Sequence, residues 1–234
     1  MGGQCYEWSR LDLGRIGGAL AGLGSSDADG VLSVSLAEEP ISDDALRRLL
    51  EGYRRVDRLL AGRIGLFSYG AAGQLLELNH IVLCGVTPER RAQFGDHIAE
   101  TARVFYERPG IGDLTDWYKR NRGRAPRNVA AGLFLRLVST PQLFVEGNSR
   151  TACLLASYHL ARCGLPPLVI GVESFARYAE VLRRTEAVDR TSFSSLFTAE
   201  FVASRLAGLI EATGDPSFLL DAAPTGAVGS GGSG

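Results

Sequence analysis

No uninterrupted apolar run of about 18 residues occurs in the sequence, so no segment reads as a membrane-spanning helix. The opening MGGQCYEWSR lacks the charged-then-apolar order of a secretory leader. The four cysteines, Cys5, Cys84, Cys153 and Cys163, form no CxxC pair and have no histidine-rich partner segment. Neither a zinc site nor a disulfide framework is suggested, and reduced thiols in a soluble cytoplasmic protein are expected. Charge of one sign is lacking too: 25 basic and 26 acidic residues leave a net charge of −1, with no global field for nucleic acid or an anionic membrane. Every basic residue except Lys119 is an arginine, a bias that a GC-rich genome explains more simply than a demand for forked anion contacts. There is no GxxxxGK[ST], no strand leading into GxGxxG and no repeated unit.

What is present is an apolar content of 45% over 234 residues, ample for the core of one domain. A Gly-rich start gives little information, and VLSVSLAEEP alternates from Val31 to Leu36 with the period of a short strand. From Ser42 onward Leu46, Leu49, Leu50, Tyr53, Val56, Leu59 and Leu60 recur at helical spacing. Ser42 is placed as N-cap, Asp43 and Asp44 in the first turn, and Ile41 stapled onto Leu46. QLLELNHIVLCG reads as a second helix stopped by Gly85, and Thr87-Pro88 opens a third with Phe94, Ile98 and Phe105 inward. RPGIGD breaks that helix, LTDWYKR makes a short one, and NRGRAPRN is a basic loop. A stripe of Ala130, Leu133, Phe134, Leu137 and Val138 then runs to a stop before Pro141. The next helix carries Ala152, Leu155, Ala156, His159 and Leu160 on one face and ends at Gly164; further helices are expected at 175–183 and 193–210. The order predicts a predominantly helical single domain, and the tail GSGGSG has the composition of a flexible linker.

Between the last two of those apolar stripes lies PQLFVEGNSRTACLL, which packs a carboxylate, a glycine, an asparagine and an arginine into one turn. A helix beginning near Asn148 leaves its first backbone N–H groups unpaired at the positive end of its dipole, a natural seat for an anion. Gly147 lets a ligand approach the backbone. Arg150 in the first turn opposes the dipole, at a cost of roughly 0.3 to 1 kcal/mol, unless an anion or Glu146 lies between. The plainer reading is ordinary turn chemistry: Asn148 or Ser149 caps the helix, and Glu146 and Arg150 form a surface pair.

The stretch LFVEGNSRTACLLASYHLARCGLPPLVI resembles the active-site segment of Fic (filamentation induced by cAMP) domain proteins, whose signature reads HPFx[D/E]GNxR, followed by a helix and a Gly-x-Pro-Pro ending. Phe144, Glu146, Gly147, Asn148 and Arg150 match in register, and NVAAGLFLRLV is similar to the family's preceding helix. The resemblance implies an all-α, Fic-like helical domain over residues 42–212 with a small β-hairpin flap, preceded by a partly irregular segment, 1–41, and followed by a flexible tail, 213–234. It implies ATP or another nucleotide and Mg2+ as cofactors. Glu146 would hold the metal, Gly147, Asn148 and Ser149 the phosphates, and Arg150 the charge of the transferring phosphoryl group. Tyr178 stands where the family often places an aromatic near the nucleotide base, with packing into the core as the other reading. The activity implied is AMPylation, transfer of AMP to a target hydroxyl.

The motif histidine is missing. Anchoring on Phe144 puts Gln142 at the base position; anchoring on Pro141 with two residues inserted puts Thr140 there. Neither accepts a proton near neutral pH as imidazole does, a step worth about a hundred- to ten-thousand-fold in rate. His80 shares a helix face with Glu77 and Cys84, His97 is expected to be solvated, and His159 lies about 16 Å along its helix from Asn148 and reads as a core residue. The family's self-inhibitory [ST]xxxE[GN] is matched by Glu51 and Gly52, but Arg47 replaces Ser or Thr. Two classes of function follow. One is a transferase with an altered base, or a divergent enzyme on a phosphorylated or nucleotide-linked substrate. The other is a binding or regulatory module that has lost catalysis. Expected partners are a nucleotide or phosphorylated small molecule and a protein target, with neither nucleic acid nor membrane; RNRGRAPRN is read as a solvated loop.

Overall fold

Ten α-helices and no strand make up the residues that the computed structural model describes, 7–25, 42–107, 110–192 and 195–220. They are α1 (Leu13–Ser25), α2 (Asp43–Ala61), α3 (Ala72–Cys84), α4 (Pro88–Gln93), α5 (Gly95–Tyr106), α6 (Gly110–Asn121), α7 (Pro126–Val138), α8 (Asn148–Arg162), α9 (Val172–Glu186) and α10 (Ser195–Thr213), with a 3-10 turn at Pro216–Phe218. The expected strand at Val31–Leu36, the Ile41 staple and the C-terminal tail lie outside the described residues.

Helix α8 is apolar nearly all round, and every residue from Thr151 to Ala161 is buried, which makes it the central helix of the fold. It packs mainly on α7 and also on α2 and α3, while α10 covers the far side of α7. Where α2 meets α8 the approach is so close that a Cβ on Gly52 would stand 2.3 Å from Leu154 Cδ1. Gly132 is needed on α7 for the same reason, because its Cβ would come within 2.3 Å of the Trp117 ring. Helix α2 starts as the sequence predicts: Ser42 Oγ accepts from the Ala45 N–H at 3.1 Å, with Asp43 and Asp44 in the first turn. Gly85 ends α3 with φ 79°, a conformation that favours glycine.

The structure departs from the sequence reading at four places. Helix α1 was not expected, because its glycines disfavour a helix; it is held by burial of Ile16, Leu20 and Leu23 against the common core. Just ahead of it, Arg10 grips Asp57 on α2 with a two-pronged ion pair at 2.6 and 2.5 Å. The single helix expected after Pro88 is broken at Phe94, which is 36% exposed, and of the three residues expected inside it only Phe105 is fully buried. The expected break at RPGIGD is shorter than predicted, since α6 already begins at Gly110. The β-hairpin flap that the resemblance implies is not present among the described residues, which hold no strand.

The thiol expectation also needs correction, since Cys163 is disulfide-bonded, while Cys84 and Cys153 are free and buried. No helix among the described residues is long and apolar enough to cross a membrane.

Candidate functional site

The turn between α7 and α8 is anchored in the core by its apolar pair. Leu143 and Phe144 are buried, Phe144 stacked on Phe105 with ring centroids 5.4 Å apart, and this leaves Val145 and Glu146 outside. At its start the turn is laced to the segment after α9: the Thr140 N–H donates to the Val188 carbonyl at 3.0 Å, and the Arg190 N–H donates to the Thr140 carbonyl at 2.8 Å.

Asn148 is the internal brace of the turn. Its Oδ1 accepts from the Phe144 N–H at 2.9 Å and its Nδ2 donates to the Phe144 carbonyl at 2.9 Å, so a buried amide side chain satisfies both backbone groups of one residue. Nδ2 also lies 3.3 Å from Gln142 Oε1, while Gln142 Nε2 donates to the Val138 carbonyl at 3.3 Å. Gln142 therefore ties the turn to the end of α7, and its amide offers no base. Thr140 is exposed, and its backbone forms an isolated bridge with Asp189.

Gly147 is the N-cap of α8 with φ 72°, a left-handed conformation that favours glycine. A Cβ there would meet Asn79 Nδ2 at 3.1 Å and the Val82 and Leu83 side chains at 3.3 Å. Asn79 on α3 is a site residue that the sequence reading missed. Fully buried, its Nδ2 donates to the Glu146 carbonyl at 2.9 Å and to Thr151 Oγ1 at 3.1 Å, clamping α3 to the turn. Its one signal in the sequence is an asparagine set inside the apolar run LLELNHIVL.

The Glu146 carboxylate is exposed and makes no hydrogen bond or ion pair with any described residue. The half-buried Ser149 hydroxyl likewise has no partner among the described residues. These two groups flank the start of α8. Arg150, the residue expected to meet an anion, is half-buried and donates from Nη1 to the Val82 carbonyl at 3.0 Å; Arg48 Nε donates to the same oxygen at 3.1 Å. Both arginines thus cap the C-terminal end of α3, where carbonyls lack helical partners and the dipole favours positive charge. The expected surface pair between Glu146 and Arg150 does not form.

Other candidates fall elsewhere. Tyr178 is a core residue, 4% exposed, with its hydroxyl 2.8 Å from Thr213 Oγ1, and burial raises its pKa. Glu51 pairs with Arg54, one turn along its own helix, so the self-inhibitory contact with Arg150 is absent. His159 is buried as expected, edge-on to Tyr118, and desolvation pushes its pKa down to about 4. His97 is half-buried, with Nε2 shielded from solvent and unpartnered. His80 also has a buried, unpartnered Nε2, and burial lowers its pKa, so it is a neutral imidazole at neutral pH. It immediately follows Asn79. Among the described residues no three His, Cys, Asp or Glu side chains cluster in a way that could hold a metal ion.

The turn therefore offers one carboxylate and one hydroxyl without partners among the described residues, beside the start of α8 and braced from behind by Asn148 and Asn79. Such a set suits Mg2+, which is commonly held by one or two carboxylates together with substrate phosphates. No family model matches the chain. No curated protein matches it. Among solved structures it is similar to a Fic domain containing signaling protein from Bacteroides thetaiotaomicron, at 20% identity over 72% of this chain and 70% of that one, with a TM-score of 0.43.

Proposed function

We propose that the turn at residues 146–149 binds the phosphates of a nucleotide or another phosphorylated small molecule, and that the chain is a Fic-like binding or regulatory module. The observation that carries this reading is the pair of unpartnered groups, the Glu146 carboxylate and the Ser149 hydroxyl, on either side of the left-handed Gly147 and of Asn148 at the start of α8. The backbone N–H groups of the first turn of α8 attract an anion, and Ser149 adds a donor. Glu146 would hold Mg2+, whose charge would offset that of the phosphates. Arg150 contributes positive potential from its place against α3. The match of Phe144, Glu146, Gly147, Asn148 and Arg150 to the Fic signature supports the same reading.

The module is preferred to the transferase because neither candidate at the base position can take a proton. A second reading, AMPylation-type transfer with a displaced base, has one observation in its favour: His80, kept neutral by burial, adjoins the Asn79 that clamps the turn. One titration separates the readings. Labelled ATP with Mg2+ is expected to bind without covalent labelling of protein, and Glu146→Gln to weaken the Mg2+-dependent part of that binding. Covalent labelling lost in His80→Gln would replace the module by the transferase, and no binding of any nucleoside triphosphate or of pyrophosphate would remove both.

A further inference from the structure

A second cleft, of about 670 Å³, lies between α6, α7, α10 and the turn at 189–191. Its wall contains two guanidiniums that lack a carboxylate partner. Arg136, on α7, is half-buried and makes no hydrogen bond among the described residues; its one close partner is the face of Trp117, 5.2 Å from Cζ. Desolvation lowers its pKa to about 10, with Arg190 and Arg120 adding to the effect and Asp113 opposing it. Arg190 donates from Nη2 to the Pro141 carbonyl, but its Nε is shielded from solvent and unpaired. Burial lowers the Arg190 pKa too, against the pull of Asp113 and Asp189.

Two partly desolvated like charges side by side destabilise a fold unless something of opposite sign joins them. The chain does not supply it in full. Asp113, the one acid acting on both, is itself exposed, and Glu200 at the rim is 3.6 Å from Arg124. The rest of the wall includes Leu135 and Ala203, so an apolar surface adjoins the charged corner, as in many small-molecule sites. We propose that this cleft binds a small organic oxyanion, a phosphate or carboxylate seated on the Arg136 and Arg190 guanidiniums with an apolar body against Leu135 and Ala203. Arginine forks suit either anion, because both present paired oxygens in one plane. The site shares no residue with the turn at 146–149 and stands independently of it.

Calorimetric titration of the full chain with phenyl phosphate, benzoate and uncharged benzyl alcohol tests the assignment. At least one of the two anions binds, and which one identifies the headgroup; benzyl alcohol does not. Arg136→Met weakens that binding at least tenfold, and Arg136→Lys weakens it less. The ligand-free Arg136→Met protein melts no lower than the parent, because the substitution removes an unpaired half-buried charge while keeping the contact with Trp117. Absence of binding by both anions, equal binding by Arg136→Met, or a melting temperature of that variant well below the parent's would each overturn the proposal, the last by making Arg136 a structural residue.

Discussion

Asn148 and Arg150 show how a side chain expected at a ligand can be committed to the fold. Both Asn148 amide atoms bond the Phe144 backbone, so Asn148→Ala leaves a buried N–H and a buried carbonyl without partners. The expected cost is about 2 kcal/mol, read as a lower urea midpoint with unchanged slope. Arg150→Met removes a donor to the Val82 carbonyl and is likewise expected to lower stability, so loss of ligand binding in that variant alone would not assign it to the ligand. His159 gives a pH signature. Its folded pKa is about 4, against an ordinary value near 6.5, so between those values the unfolded chain takes up a proton that the folded chain does not. Stability therefore falls as pH drops through that window, by on the order of 3 kcal/mol at most. His159→Gln is expected to flatten that part of the stability–pH curve, and an unaltered curve would refute the assignment.

At the scale of elements, the helices most legible in the sequence are those whose starts and stops are chemical. Ser42 with its two aspartates, Gly85 after LLELNHIVLC, and the stripe running toward Pro141 each name a boundary that local chemistry enforces. Helix α1 was illegible because its stability comes from burial against other elements, which overrides the poor propensity of a glycine-rich segment. The break at Phe94 was hidden for a related reason: the apolar spacing continues across it, but the side chain ends up at the surface. Gly52 matches the family's self-inhibitory pattern in the sequence, and in the structure it has a packing role. Gly52→Ala drives a methyl group into Leu154 and is expected to cost about 1 to 3 kcal/mol, measured as a drop in melting temperature. A neutral or stabilising Gly52→Ala would mean that α2 and α8 can separate freely.

For the whole molecule, the contiguous part of the candidate site was legible, and the part assembled from distant segments was not. Glu146, Gly147 and Ser149 share a turn by virtue of sequence alone. Asn79 reaches them only because α3 packs on α8, while Tyr178 and Glu51, matched by position to a family pattern, are turned to the core and to a neighbouring arginine. The backbone bonds of Thr140 to Val188 and Arg190 bring Arg136 and Arg190, 54 residues apart in number, to one cleft. If the start of α8 receives phosphate, the backbone amides of Gly147, Asn148 and Ser149 report on it directly. In nitrogen-15-labelled protein titrated with ATP and Mg2+, these amide resonances are expected to shift in a saturable way, less so in Glu146→Gln. Resonances that stay in place up to millimolar ligand, or shifts confined to the Arg136 cleft, would contradict the account.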